Sequence, residues 1–342
     1  MTYRSFQSHI AVPLVVFVCA FMHSRIALSA PIKLTSTDGK TIEAELKSIG
    51  EGDIEIEMRG KAMRLPLERL SDETRERLKP EHWALGYDEE KTPVLIPRPK
   101  ETPAAGTNIH IDMPELGKTL SRGDPARFQL IVGKNYDPMK PAPLFLWFGQ
   151  GSGSDSDFWN RRPLLGDRVE DFVCAFLPYP HSYENMSNYN DSLRSGAVEA
   201  VETYHEAMLE KLGSMFPNLD PRLGIAGGFS NGAHTIATHL GNDFQPFVSR
   251  TNCYILIEGG SFEKERFPRH KGDSMVLAFG DKYERYSLSG YLKSAVKRAG
   301  FDYEWIEMPG VGHEFPDQYQ KQVSKHITDV MIPRHLEVKD DR

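Results

Sequence analysis

The sequence predicts a two-part α/β protein, in which a small β-barrel precedes a mostly parallel sheet with helices on both faces. Three observations carry this prediction. Residues 32–70 show apolar side chains at alternate positions, residues beyond 107 alternate strand-like and helix-like apolar runs, and a proline-rich segment separates the two regions. Because parallel strands need crossover connections that cover the sheet, alternating strands and helices predict a buried parallel sheet.

Composition places the chain among soluble proteins that form a hydrophobic core. Its 342 residues include 48 acidic and 41 basic side chains, 39% are hydrophobic, and the formal net charge is -7. This length suggests about two domains, and the apolar content is too high for a disordered chain. A negatively charged chain with only short basic clusters does not attract phosphates, so we expect no nucleic-acid partner.

The N-terminal residues 1–29 are predicted to be a signal peptide. Arg4 precedes the apolar run Ile10–Met22, which is shorter than the roughly 20 residues that a membrane-spanning helix needs. Small residues allow cleavage after Ser29 or Ala30, and the first is favoured because the second would leave Pro31 directly after the cut. An uncleaved N-terminal anchor is the alternative. Either form implies export, to the periplasm or out of the cell, with no further membrane span.

A small β module is predicted at residues 31–82. Apolar Ile42, Ala44 and Leu46 alternate with charged residues, and glycine-containing turns separate this run from a second alternating one. Ser71 then has the position of a helix N-cap, followed by acidic residues in the first turn.

The stretch from Thr37-Asp38-Gly39-Lys40 to Leu65-Pro66-Leu67-Glu68-Arg69-Leu70-Ser71 resembles Sla homology domain one, a Src-homology-3-like barrel. Members of that family bind short peptides and other proteins. The resemblance therefore implies a protein or peptide ligand, or a tethering role, for this module. A spacer without a ligand is the alternative.

Residues 83–106 are predicted to be a proline-rich linker. Pro93, Pro97, Pro99 and Pro103 lie close together, and proline neither continues a helix nor donates a hydrogen bond in a central strand. We therefore expect a semi-rigid connection between the two parts.

The second domain, residues 107–337, alternates strands and amphipathic helices. The predicted helices are 193–215, 288–299 and 319–330, each with an apolar stripe. The predicted strands are 109–113, 128–132, 144–148, 172–177, 223–227, 254–257, 275–279 and 303–306. Ligands of such sheets bind at the carboxyl ends of the strands, so polar residues just after strands are the functional candidates.

The strongest chemical motif is Gly228-Phe229-Ser230-Asn231-Gly232, which lies between a predicted strand and a predicted helix. This is the context of a nucleophile elbow, where a sharp strand-to-helix turn exposes a serine hydroxyl. Bulky residues in place of the two glycines would clash with such a turn. The Asn231 N–H at the helix start would stabilise a developing negative charge.

With Lys134–Pro138 and Asp220–Leu223 added, this motif makes the second domain resemble the α/β-hydrolase family, and within it exported esterases related to polyhydroxybutyrate depolymerases and feruloyl esterases. The resemblance implies a serine nucleophile followed in the chain by an acid and then a histidine. His313, in the loop Pro309-Gly310-Val311-Gly312-His313, fits the last place and would act as the proton shuttle.

The acid is where this chain departs from the family. The family usually has Asp three residues after the glycine that ends the next strand, and here that position is Tyr283. We rank Asp281 first as the acid, Glu284 second, and Glu258, one strand earlier, third. Loss of the acid from a serine protease costs about 10⁴ in rate, so this departure bears on activity itself.

The second oxyanion-hole donor is expected in Gly149-Gln150-Gly151-Ser152-Gly153, after a strand end. The family usually has His-Gly there. Because backbone N–H groups do the work, Gln150 or Gly151 can still donate. A surface loop is the alternative. The aromatic-rich stretch Pro180–Tyr189 is expected to form one wall of the pocket.

No cofactor and no metal site are expected. His234 and His239 are five residues apart, which is not the spacing of a helical zinc pair, and we assign both to packing or the surface. The family topology implied by the resemblance separates Cys174 from Cys253 by two strands, so both are expected to be buried free thiols.

Two hypotheses of different class follow. The first is an exported serine hydrolase that cleaves small-molecule or polymeric carboxylic esters through an acyl-enzyme. The second is a catalytically weak or dead hydrolase fold that acts as a binding or adaptor protein, which Tyr283 at the acid position favours. Peptidase activity in the same fold is a third possibility that differs mainly in the leaving group.

Overall fold

The first β module is a four-stranded antiparallel sheet. The computed structural model describes residues 31–117, 125–151, 160–180, 196–260 and 267–336, so the predicted signal peptide lies outside it. The strands follow chain order and are β1 (Ile32–Thr35), β2 (Thr41–Ile49), β3 (Asp53–Met58) and β4 (Lys61–Pro66). Their alternate apolar residues, such as Ala44 and Ile54, form a small core of their own.

A short helix, α1 (Asp72–Arg77), closes this module. The Ser71 hydroxyl accepts a hydrogen bond from the Thr74 N–H, so Ser71 caps the helix as predicted. Short 3₁₀ turns at Leu67–Arg69 and Pro80–His82 flank the helix.

The segment predicted as a proline-rich linker contains a β-hairpin. Strands β5 (Trp83–Tyr87) and β6 (Pro93–Pro97) pair antiparallel. The prediction excluded a helix and a central strand, and a two-stranded hairpin is neither. The prolines stand at the two ends of β6 in a two-stranded sheet, where missing donors interrupt no central ladder. The Leu85 N–H donates to the Pro138 carbonyl at 2.8 Å, so the hairpin contacts the second domain.

The second domain is built on one eight-stranded sheet. Its strands are β7 (Asn108–Asp112), β8 (Arg127–Val132), β9 (Ala142–Phe148), β10 (Val173–Leu177), β11 (Leu219–Phe229), β12 (Cys253–Ile257), β13 (Ser274–Gly280) and β14 (Asp302–Met308). The order across the sheet is β14-β13-β12-β11-β9-β10-β8-β7. Of these eight strands, only β8 runs opposite to the others. The predicted α/β fold class is confirmed.

Helices cover both sheet faces. They are α2 (Ala197–Met215), α3 (Asn231–Gly241), α4 (Gln245–Val248), α5 (Tyr286–Ala299), α6 (Asp317–His326) and α7 (Ile332–Leu336), with 3₁₀ segments at Pro114–Leu116 and Arg162–Asp171 and a π-turn at Ile327–Met331. Along β9, Leu144 and Leu146 pack with α2, α3 and α5, whereas Phe145 and Trp147 pack with α6 and α7. The fully apolar strand therefore supplies one core on each face.

The sheet order brings four strand ends together. Strands β9, β11, β12 and β13 are parallel neighbours, so their carboxyl ends meet at one edge of the sheet. Cys174 and Cys253 are buried free thiols with β9 and β11 between their strands, as expected. Within the described ranges, none of the helices has the length and apolar character needed to cross a bilayer.

Candidate active site

Ser230 occupies a strained turn between β11 and α3. Its backbone φ is 54°, a value that residues other than glycine rarely adopt. A Cβ on Gly228 would lie 2.4 Å from the Gly232 backbone, and one on Gly232 would lie 2.1 Å from the Phe148 carbonyl oxygen. The glycines flanking Ser230 are therefore needed for this turn, as the motif predicts.

The His313 imidazole lies directly against the Ser230 hydroxyl. His313 Nε2 is 2.9 Å from Ser230 Oγ, although the two residues are 83 positions apart in the chain. Close packing under the His313 loop makes this possible, since a Cβ on Gly280 would lie 2.3 Å from the Val311 carbonyl oxygen. With Nε2 unprotonated, the ring accepts the hydroxyl proton, which is the arrangement that general-base activation requires.

Aromatic rings hold the imidazole in place. Tyr283 stacks on the His313 ring at a centroid distance of 4.7 Å, and Phe229 contacts it at 4.9 Å. Among the described residues, no carboxylate hydrogen-bonds to His313. The position where the sequence resemblance predicts the acid therefore contributes a stacking ring in this protein.

The first-ranked acid, Asp281, contacts the histidine loop but not the histidine. Its Oδ1 accepts a hydrogen bond from the Gly310 N–H at 2.7 Å. The Asp281 N–H donates to the carbonyl of Met308, at the end of β14, at 3.3 Å, and the Lys282 N–H donates to the Val311 carbonyl in the loop at 2.9 Å. Asp281 thus anchors the loop that carries His313.

Glu284 acts on His313 through its charge. Partial burial lowers the pKa of His313 below its ordinary value, the Glu284 carboxylate opposes this shift, and the Arg285 guanidinium adds to it. A lowered pKa keeps the imidazole neutral at neutral pH, which is the form that accepts a proton.

Glu258, the third-ranked acid, is fully buried at the end of β12. Its side chain is 0% exposed, and its Oε1 accepts a hydrogen bond from the Gly280 N–H at 2.6 Å. The other carboxyl oxygen has no partner among the described residues. Burial raises the pKa of Glu258 to about 8, although the Gly280 N–H opposes the shift. Glu258 is therefore mostly protonated at neutral pH and carries little charge toward His313.

Of the predicted oxyanion donors, Asn231 directly follows Ser230, and Gly151 contacts the Asn231 side chain. Asn231 is the first residue of α3, where backbone N–H groups have no partner within the helix. Its side-chain Nδ2 donates to the Gly151 carbonyl at 3.2 Å, so the loop containing Gln150 and Gly151 lies against the helix start. Ser152 and Gly153 and most of the predicted pocket wall, residues 181–189, lie outside the described residues.

A cleft of about 400 Å³ opens over this site, and its lining is mostly polar. It is lined by Ser230, Asn231, His234, Lys282, Tyr283, Glu284, Arg285 and His313. The nucleophile candidate and its histidine therefore face a space large enough for a small ester. No cluster of His, Cys, Asp and Glu suited to a metal ion occurs among the described residues.

His234 is a cleft residue that the sequence reasoning missed. We expected packing or the surface, and the side chain is indeed buried with its Nδ1 against the Gly260 backbone, but the residue also lines the cleft. Burial lowers its pKa to about 3, so the ring is neutral. Its spacing from Ser230 could have indicated this position, because a residue four places further along lies about one helical turn away on the same face as the serine. His239, in contrast, is buried beside His205.

A second serine–histidine pair, at the opposite sheet edge, has the wrong proton arrangement for catalysis. Ser274 Oγ is 3.0 Å from His335 Nε2, and Asn252 Nδ2 is 3.1 Å from His335 Nδ1. The Asn252 amide is fixed because its Oδ1 accepts from the Gly224 N–H and its Nδ2 also donates to Arg222. An amide nitrogen only donates, so Nδ1 of the neutral ring accepts and Nε2 carries the proton. That ring cannot deprotonate Ser274, and the pair instead attaches α7 to the sheet.

Comparison with known proteins gives structural similarity only, since no family model and no curated protein matches the chain. The chain is similar to YahD in its structure with malic acid, at 12% identity and a TM-score of 0.47, over 59% of this chain and 98% of that one. It is similar to the Bacillus cereus carboxylesterase, at 14% identity and a TM-score of 0.45, over 58% of this chain and 91% of that one. It is also similar to native esterase 2 of Thermogutta terrifontis, a Planctomycetes species, at 14% identity and a TM-score of 0.46, over 71% and 97%.

Proposed function

We propose that this protein is an exported serine hydrolase that cleaves carboxylic esters through an acyl-enzyme. One observation carries the proposal, namely the 2.9 Å contact between Ser230 Oγ, on a strained turn, and His313 Nε2. A backbone held at a rarely populated φ is a feature of functional sites, and the neighbouring neutral imidazole is the base that such a hydroxyl needs.

The reaction proceeds in two halves. Ser230 Oγ attacks the ester carbonyl carbon while His313 Nε2 takes the hydroxyl proton, and the tetrahedral oxyanion is stabilised by the Asn231 N–H and by the loop containing Gln150. The C–O bond to the alcohol then breaks, and His313 returns the proton to the departing alkoxide. A water molecule deprotonated by His313 hydrolyses the acyl-enzyme and restores Ser230.

The histidine works here without a hydrogen-bonded carboxylate among the described residues. Tyr283 and Phe229 fix the ring plane, and the Glu284 carboxylate favours the imidazolium that forms during attack. This supports a slower enzyme than one with a complete triad, since a missing acid in a serine protease costs about 10⁴ in rate.

The lack of a carboxylate hydrogen-bonded to His313 among the described residues also supports a second candidate function, a weak or inactive hydrolase fold used for binding. In this case the N-terminal module of residues 31–82 would be the interaction element, with a protein or peptide as its ligand.

Export through residues 1–29 is part of both proposals. N-terminal sequencing of the protein recovered from the periplasm or medium tests it, with Ala30 expected as the first residue.

Labelling with a fluorophosphonate probe separates the two candidates. We expect the probe to label the wild-type chain at Ser230, because phosphonylation needs an activated hydroxyl, and the Ser230→Ala variant to fold but remain unlabelled. Ser274→Ala is the matched control, since Ser274 also contacts a histidine but one that cannot act as its base; labelling should persist in this variant. A wild-type chain labelled no more than Ser230→Ala would remove the esterase proposal.

A further inference from the structure

Tyr179 is a buried residue, outside the cleft, whose hydroxyl contacts the predicted oxyanion loop. It follows β10, is 0% exposed, and donates a hydrogen bond from its hydroxyl to the Gly149 carbonyl at 2.9 Å. The Thr235 hydroxyl lies 3.4 Å from the same phenol oxygen and 2.9 Å from the Asn231 carbonyl oxygen. These contacts connect the loop after β9 with the first turn of α3.

This hydrogen bond determines which way the next N–H points. The peptide between Gly149 and Gln150 is planar and trans, so its N–H points opposite to its carbonyl. The Gly149 carbonyl points into the interior toward Tyr179, while Gln150 is exposed. The Gln150 N–H therefore points away from the buried Tyr179 phenol, on the exposed side of the loop.

The loop is held at a second point as well. The Asn231 side chain donates to the Gly151 carbonyl at 3.2 Å, and Asn231 directly follows Ser230. The Gly149 and Gly151 carbonyls, which flank Gln150, are therefore both bonded to side chains. Two bonds on so short a glycine-containing segment leave its peptide planes little freedom to rotate.

We propose that Tyr179 is a positioning residue that preorganises the oxyanion hole by directing the Gln150 N–H toward the reacting carbonyl. The inference rests on the proposed esterase function. Without the phenol hydroxyl, the buried Gly149 carbonyl loses its partner, and the peptide gains by rotating toward water. Rotation would turn the Gln150 N–H away from the position that the oxyanion occupies, whereas substrate binding would be unchanged.

Tyr179→Phe tests this, because it removes only the hydroxyl. Tyr204→Phe is the matched control, since Tyr204 is 3% exposed and its hydroxyl has no hydrogen-bond partner among the described residues. With a p-nitrophenyl ester and the full mature chain, we expect kcat of Tyr179→Phe to fall about tenfold with KM within about twofold, less than the 10²–10³ lost when a donor is removed outright. Tyr204→Phe should keep the wild-type kcat.

A boronic acid inhibitor provides the readout that a merely structural role would not change. Its adduct with Ser230 places an oxygen where the oxyanion forms, so its Ki should rise in Tyr179→Phe by the same factor as kcat/KM falls, and stay constant in Tyr204→Phe. If Tyr179→Phe keeps the wild-type kcat or Ki, the positioning role of Tyr179 is overturned, but the proposed esterase function is not. If the wild-type chain neither hydrolyses the ester nor reacts with a fluorophosphonate, the proposed function fails, and this inference with it.

Discussion

Tyr283 stacks on His313 with ring centroids 4.7 Å apart and ring planes 23° from parallel. The phenol ring is almost fully buried, and it comes three residues after Gly280, where the sequence resemblance to α/β-hydrolases predicts the acid. An aromatic ring fixes the plane of an imidazole but does not choose its tautomer. In this protein, orientation and charge are thus supplied by different residues, with Tyr283 for the first and Glu284 for the second.

Stacking depends on the ring of Tyr283 and not on its hydroxyl. We expect Tyr283→Phe to keep nearly the wild-type kcat and Tyr283→Leu to lose about 3- to 10-fold, since an aromatic pair contributes about 0.5–1.5 kcal/mol. Steady-state hydrolysis of a p-nitrophenyl ester measures both variants, with thermal unfolding as the check on folding. Equal losses in the two variants would show that the hydroxyl, not the stack, matters.

Substitutions of Asp281 separate an anchoring role from that of a triad acid. The side-chain amide introduced by Asp281→Asn retains an oxygen that accepts from the Gly310 N–H, so we expect a loss of less than about threefold, whereas Asp281→Ala removes the acceptor and loosens the loop. We expect kcat to fall more in Asp281→Ala than in Asp281→Asn. A loss near 10⁴ in Asp281→Asn would instead identify Asp281 as the acid.

The acid limb of the pH profile reports His313. Because the neutral imidazole is the base and its pKa lies below the ordinary value of 6.5, kcat/KM should be constant above this pH and decline at lower pH. Glu284→Gln removes a carboxylate that raises this pKa, so its acid limb should move to lower pH. Arg285→Gln removes a positive charge that lowers the pKa and should move the limb to higher pH. Shifts in the same direction in both variants would contradict this assignment.

The pH dependence of stability reports Glu258. Its pKa is raised from 4.5 to about 8 in the folded protein, so between these values the folded carboxyl keeps a proton that the unfolded one has lost. Wild-type stability should therefore fall as pH rises through this window. Glu258→Gln has no such proton, and its stability relative to wild type should be higher at pH 9 than at pH 5 by more than about 1 kcal/mol.

Denaturant unfolding at the two pH values measures this difference. The comparison between pH values is the informative quantity, because a buried amide also changes the hydrogen bonding at every pH. A difference between Glu258→Gln and wild type that does not vary with pH would show that Glu258 is ionised in the folded protein.

The local geometry of the nucleophile could be predicted from the sequence. A strand, a Gly-x-Ser-x-Gly turn and a helix are adjacent in the chain. The two glycines are needed because a Cβ at either position would clash with the backbone of the turn. The alternation of strands and helices likewise predicts the parallel sheet, because burial of both sheet faces follows from apolar patterns that are visible residue by residue. The hairpin at residues 83–97 was not predicted, because closely spaced prolines are typical of a linker. Two of these prolines lie at the ends of β6, where they leave the pairing of the strands intact.

The surroundings of the histidine were decided by tertiary structure alone. Asp281, Glu284 and Glu258 all follow strands of the sheet, and their sequence positions do not distinguish which one reaches His313. That depends on how two loops pack, and the packing directs Asp281 to Gly310 and buries Glu258 against Gly280. The contact of Tyr179 with Gly149 has the same origin. A hydrogen bond between residues distant in the chain depends on the closing of the fold, which no local pattern records.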